Sequence, residues 1–204
     1  MRGCGTLLLK ETQRVHRKLH WLLFETNIIK YIKMETRLIS ESAFEYMLRE
    51  VLMYESPNAD ELTNDKTQIM QQQRLENLGY DVGFRLMERM CEKQRFLGFE
   101  DLDCVKFICK EFWKLVFGKT IDKLQTNRRG LFVLLDLQFK WIKKYTVGTD
   151  LSKMDNETKL IINTMVHFPC GIMRGALANL GMNTYVSADI GTLPSVTFNL
   201  RRKN

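Results

Sequence analysis

No paired cysteine spacing such as C-x-x-C occurs in this chain, although it carries five cysteines, Cys4, Cys91, Cys104, Cys109 and Cys170. A zinc site needs such pairs, so no metal ligand set is expected. An odd cysteine count without a regular framework fits a reducing compartment. Cys104, Cys109 and Cys170 lie in apolar helical patterns, where thiols serve as small hydrophobes. Histidine is scarce, three in 204 residues. His16-x-x-x-His20 has a helical ligand spacing but no third donor nearby, and His167 has no evident acid or nucleophile beside it. No run approaches the about 18 uncharged apolar residues of a membrane span. Leu7-Leu8-Leu9, followed by Lys10 and Glu11, is too short for a secretory core. The chain is therefore expected in the cytoplasm. A phosphate loop is missing too. Gly118-Lys119-Thr120 ends like one, but Trp113 stands where that loop needs glycine. Catalytic residues, metals and cofactors are all expected to be none.

Charge of one sign is also rare outside a single segment. The formal net charge is +7, and residues 1–33 hold seven Lys/Arg against Glu11 and Glu25. That segment accounts for +5, which leaves +2 for the rest. The body is nearly neutral and shows no groove-reading helix or aromatic–basic strand pattern, so no nucleic acid is expected. Residues 1–33 read as a basic extension outside the fold, and residues 34–204 as one domain. His20-Trp21-Leu22-Leu23-Phe24 offers a second reading of the extension as an amphipathic membrane contact. Its basic residues, however, scatter around the helix.

What is present is helical periodicity. A first helix is predicted over Ser40–Tyr54, with a capping box at Ser42-x-x-Glu45. Ala43, Phe44, Met47, Leu48, Val51 and Leu52 share one broad apolar side. Residues 56–67 read as a polar linker. A second helix is predicted over Gln68–Glu92, with the stripe Leu75, Leu78, Val82, Leu86 and Met90. Gly79 and Gly83 lie within that stripe. Each costs about 1 kcal/mol of helix propensity relative to alanine, and each allows another backbone to approach closely. A third helix is predicted over Leu102–Phe117, with Asp101 as N-cap and Leu102, Val105, Ile108, Cys109, Phe112, Leu115 and Val116 along one apolar side. Phe107 falls among its charges as a candidate partner contact, and Trp113 sits at the boundary.

Strand signals follow. Leu131–Leu135 and Phe139–Ile142 flank Asp136-Leu137-Gln138 as a predicted hairpin. A fourth helical pattern covers Lys159–Leu180, is kinked or restarted at Pro169, and ends at Gly181. Gly171 and Gly175 repeat the close-approach spacing. Thr184–Ile190 and Ser195–Arg201 alternate as half-buried strands. The reading is α+β, with helices packed on one face of a four-stranded antiparallel sheet in the order α-α-α-β-β-α-β-β.

Three segments resemble subunit 6 of the trafficking protein particle (TRAPP) family. They are LENLGYDVGFRLMERMCEKQRFLGFEDLDCVKFICKEFWKLVFGKTIDKLQTN, RGLFVLLDLQFKW and CGIMRGALANLGMNTYVSADIGTLPSVTFNL. The resemblance runs over Ser40–Lys203. It implies the same α+β fold and a non-catalytic part of a vesicle-tethering complex that promotes nucleotide exchange on Rab-type GTPases in ER-to-Golgi and intra-Golgi transport. It further implies a heterodimer with a subunit 3 paralogue through the two N-terminal helices, contacts with other TRAPP subunits, and peripheral placement at the cis-Golgi network and endoplasmic reticulum. The residues it points to as partner-binding are Phe44, Met47, Leu48, Val51, Leu78, Gly79, Val82, Gly83 and Leu86, half of which would alternatively face the chain's own sheet. Members of this type begin near the first helix, so Met34 is expected as an alternative start. Subunit 3 carries an acyl-bearing cysteine just before its third helix. The matching segment here, Arg95-Phe-Leu-Gly-Phe99, has none. A small hydrophobic-ligand sensor of the same fold is the rival reading.

Overall fold

The computed structural model describes residues 41–54, 65–91, 100–127, 130–143 and 154–203, all within the unit Glu41–Asn204. The basic extension, His16, His20 and the Arg95–Phe99 segment lie outside the described residues. The elements are α1 (Glu41–Tyr54), α2 (Asp65–Cys91), α3 (Asp101–Phe107), a π-helical turn (Ile108–Phe112), α4 (Trp113–Phe117), β1 (Lys123–Thr126), β2 (Leu131–Asp136), α5 (Lys140–Lys143), α6 (Asn156–Met165), α7 (His167–Asn179), β3 (Thr184–Ile190) and β4 (Val196–Arg202). One antiparallel sheet runs β1-β2-β4-β3. Phe132, Leu134, Val196, Phe198 and Leu200 turn inward under the helices. This is the expected α+β architecture.

α7 lies between β3 and α2, in contact with both. It begins where the fourth helical pattern breaks at Val166, and Pro169 sits in its first turn, where no intrahelical N–H is needed. Its end is a Schellman cap. Gly181 adopts φ 84°, its amide donates to Ala178 O at 3.0 Å, and the Met182 amide donates to Leu177 O at 2.9 Å. Residues 158–179 hold an 18-residue window apolar enough to pass for a membrane span, yet 72% of that window is buried inside the domain.

The α2–α7 contact is made backbone to backbone. A Cβ on Gly79 would overlap the Phe168 carbonyl oxygen, and one on Gly83 the Ile172 carbonyl. Reciprocally, Cβ atoms on Gly171 and Gly175 would overlap the carbonyls of Glu76 and Tyr80. The buried ridge of α2 is thus Gln71, Leu75, Gly79, Gly83 and Met87, spaced four apart. It interlocks with the equally spaced small residues of α7.

Between the third helical stretch and the sheet, rings interlock. Trp113 meets Phe117 at 4.2 Å and Phe198 at 5.3 Å, and Phe117 meets Phe139 at 5.1 Å and Trp141 at 4.9 Å. One carboxylate stands in this apolar setting. Asp136 is fully buried and accepts from Trp113 Nε1 (3.0 Å), Lys119 Nζ (2.7 Å) and the Gln138 amide (3.0 Å). Lys119 also reaches Asp122 at 2.6 Å, and Asp122 accepts the Leu137 amide at 2.7 Å. Partial burial works against the Lys119 ammonium, but its bonds to Asp122 and Asp136 outweigh that and hold its pKa above the ordinary value.

Several sequence expectations change. The predicted hairpin partner Phe139–Ile142 is not a strand. Phe139, Trp141 and Ile142 are all buried, which one strand face cannot achieve, and Lys140–Lys143 forms a helical turn. The strand paired with β2 lies before it, at Lys123–Thr126. Phe107 is buried and Trp113 fully so, whereas Leu115 is 42% exposed. The π turn at Ile108–Phe112 adds a residue to one turn and rotates everything after it. Asp101 lies inside α3, whose N-cap is Glu100. Ser42 lies inside α1 rather than at its cap.

Two stability outcomes follow from these contacts. Gly83→Ala should destabilise the fold by about 2 kcal/mol or more in urea denaturation, because steric overlap exceeds the gain in helix propensity. Gly191→Ala, whose Cβ meets nothing within 4 Å, should be near neutral. Lys119→Met should cost about 2 kcal/mol by stranding the buried Asp136 charge. Lys106→Met, which breaks only the exposed pair with Asp103, should cost almost nothing.

Candidate partner interface

Once the four-spaced ridge of α2 is used by α7, two flanking ridges remain. On one flank lie Glu76, Tyr80 and Phe84. The Arg174 guanidinium ties this side down: it pairs with Glu76 at 2.7 Å, donates to Asn77 Oδ1 at 3.2 Å and lies 5.1 Å from the Tyr80 ring centre. Tyr80 in turn stacks on Phe84 at 6.1 Å. On the other flank lie Leu78, Val82, Leu86 and Met90, again four apart and wholly apolar. Leu78 is 39% exposed, and Val82, Leu86 and Met90 are half-buried.

α1 packs on α6. Leu48 turns inward and Val51 is half-buried, while Ala43, Tyr46 and Met47 stand exposed together. Tyr46 is 69% and Met47 57% exposed.

The nine residues expected at an interface therefore divide. Met47, Leu78, Val82 and Leu86 present apolar surface, and Val51 does so in part. Leu48 is buried. Gly79 and Gly83 have their close approach to the chain's own α7, which revises the expectation that they wait for a partner. The Phe44 side chain lies outside the described residues. Sequence reasoning passed over Tyr46, whose spacing of three from Ala43 was the available signal, and Met90, which belonged to the stripe but was not singled out.

Chemistry-bearing groups are engaged elsewhere. Lys119, the one basic residue of the phosphate-loop look-alike, is spent on Asp122 and Asp136. His167 is held below its ordinary pKa by burial, against the pull of Glu76. An open cleft between the start of α3 and the β1–β2 turn brings Asp101 and Arg202 together as an ion pair. Among the described residues no group of three or more His, Cys, Asp or Glu could hold a metal ion. Burial pushes the thiols up, Cys91 and Cys109 to about 12. Cys104 rises to about 11, with Asp101 and Asp103 adding to burial. Cys170 rises further still by burial. These thiols stay neutral and packed.

A family model described as transport protein particle (TRAPP) component matches residues 22–203. Subunit 6b of the trafficking protein particle complex of Danio rerio is 34% identical over 163 residues, 79% of this chain and 96% of that protein. Human subunit 6B is 38% identical over 126 residues, 61% of this chain and 74% of that protein. Human subunit 6A is 38% identical over 125 residues, 61% and 73% of the two chains. Among solved structures, subunit 3 of the same complex from Naegleria fowleri, covalently bound to palmitic acid, superposes with a TM-score of 0.54. It is 16% identical and covers 78% of this chain and 95% of its own. That identity speaks to the fold alone. This chain belongs to the TRAPP component family. Within it, the relatives assign it to the subunit 6 group.

The raised thiol pKa values carry a direct outcome. At pH 8, iodoacetamide should modify Cys104, Cys109 and Cys170 at least about 100-fold more slowly in the native chain than in urea, because the thiolate is the reacting form. Peptide-resolved mass spectrometry reads the rates. Modification of Cys109 at the denatured rate would contradict its packing against the core.

Proposed function

We propose that this chain is a non-catalytic building block of a TRAPP complex, and that it pairs with a subunit 3 paralogue through its N-terminal helices. The observation that carries the reading is the Leu78–Val82–Leu86–Met90 ridge. It is an apolar flank alongside an already satisfied helix–helix contact. A row of large apolar side chains half open to water beside a packed ridge is what a second helical partner covers. The exposed Tyr46 and Met47 of α1 add to the surface available.

On this reading the subunit works by assembly. It helps hold together a cytoplasmic particle that tethers vesicles in ER-to-Golgi and intra-Golgi transport, peripheral at the cis-Golgi network and endoplasmic reticulum, and that acts on a Rab-type GTPase through the whole complex. The rival, a sensor of small hydrophobic ligands, has less support. The ring cluster of Trp113, Phe117, Phe139, Trp141 and Phe198 fills the space between the third helical stretch and the sheet.

Co-expression of the full chain with a subunit 3 paralogue, followed by size exclusion with light scattering, should yield a stable 1:1 heterodimer. Val82→Asp or Leu86→Asp should weaken it about 100-fold or more, the effect of a buried unpaired charge at an interface centre. Leu137→Asp, in the exposed turn after β2, should not. A folded monomer that ignores the paralogue would sink the subunit reading, and a bound lipid in its native mass spectrum would promote the sensor.

A further inference from the structure

The two edges of the sheet are unequal. β1 is four residues long and carries Lys123, so it is short and charged, as exposed edges usually are. β3 is seven residues long and reads TYVSADI, with no lysine and no proline. Among the described residues no strand lies beyond it.

The hydrogen-bond phase shows which groups of β3 are free. Just past the strand ends, the Lys203 amide donates to Asn183 O at 2.9 Å, while the Arg202 amide donates to Gly130 O at 3.4 Å on the other side of β4. In an antiparallel ladder, successive residues point their backbone groups to alternate neighbours. The odd-numbered residues of β4 therefore bond β3. Through the register Tyr185↔Arg201, Ser187↔Asn199 and Asp189↔Thr197, the odd-numbered residues of β3 are consumed. The N–H and C=O groups of Val186, Ala188 and Ile190 point to the open edge, while Thr184, in the same phase, is buried at the start of the strand. Val186, Ala188 and Ile190 turn half-buried side chains toward the helical layer, and Tyr185, Ser187 and Asp189 stand exposed on the opposite face.

Charge along this edge is split between its ends. The Arg201 guanidinium lies 5.4 Å and the Lys203 ammonium 4.4 Å from the Tyr185 ring centre, which puts two cations at one end. Asp189, which accepts from Asn199 Nδ2 at 2.6 Å, is the only charge on the strand and marks the other end.

We propose that β3 is a self-pairing edge, through which two copies of this chain join their sheets antiparallel about a two-fold axis at Ser187. Free edge groups must meet free edge groups, so even-numbered residues must face even-numbered residues. Centring on Ser187 meets this condition, with Val186 opposite Ala188 of the second copy and Ala188 opposite Val186. The same register sets Tyr185, with its two cations, across from Asp189 of the second copy, and it does so twice by symmetry. Each copy supplies both halves of the complementarity, which an arbitrary extended peptide would have to match by chance. The inference does not rest on the subunit reading, because the edge is separate from the α2 ridge.

An interface of one strand pair is small, so the association should be weak and reversible, in the micromolar range. Sedimentation velocity of the full chain, carrying Leu86→Asp to silence the helical ridge, should show a monomer–dimer equilibrium as concentration rises to about 100 μM. Ala188→Pro removes an outward N–H while leaving the β3–β4 ladder whole, and should weaken the dimer at least ten-fold. Asp189→Lys alone, and Arg201→Glu with Lys203→Glu alone, should each do the same. Mixing these two charge variants should restore association, because both junctions then pair opposite signs. Unchanged thermal melting keeps a folding defect from imitating the result. A monomer at every concentration, a dimer indifferent to Ala188→Pro, or failure of the mixed pair to associate would overturn the proposal.

Discussion

The close approach of α2 to α7 sets the conditions for the rest. Gly79 and Gly83 meet the carbonyls of Phe168 and Ile172, and Gly171 and Gly175 meet those of Glu76 and Tyr80. No side chain fits at any of the four positions. Close-packed interiors transmit such constraints. The rotation of α2 about its axis is fixed by this contact, and so is the face that α2 cannot offer to anything else. α7 is then pinned between α2 and β3. The ridge Leu78–Met90 projects as a consequence, one row over from the glycines.

A second constraint ties the third helical stretch to the sheet. The rings around Trp113 supply the apolar contact, and Asp136 supplies direction, because a buried carboxylate tolerates only a few arrangements of donors. The indole of Trp113, the ammonium of Lys119 and the amide of Gln138 all converge on it. Groups that look chemical in the sequence are spent in this way on architecture. The lysine of a phosphate-loop look-alike becomes a counter-ion, and the thiols become packing atoms. That pattern agrees with a protein that works through its surfaces.

Much of this was legible beforehand, and the limits have identifiable causes. Pro169 announced the break between α6 and α7, Gly181 announced the cap, and the alternation of Thr184–Ile190 announced a half-buried strand, because each signal is local. The π turn was invisible. Leu102–Phe117 fits an uninterrupted helix by periodicity, and one extra residue per turn is enough to bury Trp113 and expose Leu115. The Phe139–Ile142 run looked like a strand for a related reason. A short apolar run has no period to speak of, and burial of Phe139, Trp141 and Ile142 together fits a strand covered on both faces as well as a turn of helix, so only the structure shows the turn at Lys140–Lys143.

The sequence by itself determined the α+β class, the neutral body, the family and the presence of two glycine pairs at close-approach spacing. These depend on residue type and short-range order, which the chain carries explicitly. Only the tertiary structure decided what the glycines approach. Spacing shows that a backbone can come near but not whose backbone it is. The answer, this chain's own α7, removes Gly79 and Gly83 from the surface and leaves Leu78, Val82 and Leu86 on it. The free edge of β3 was decided at the same level, since strand order and ladder phase arise from pairing between segments far apart in the chain.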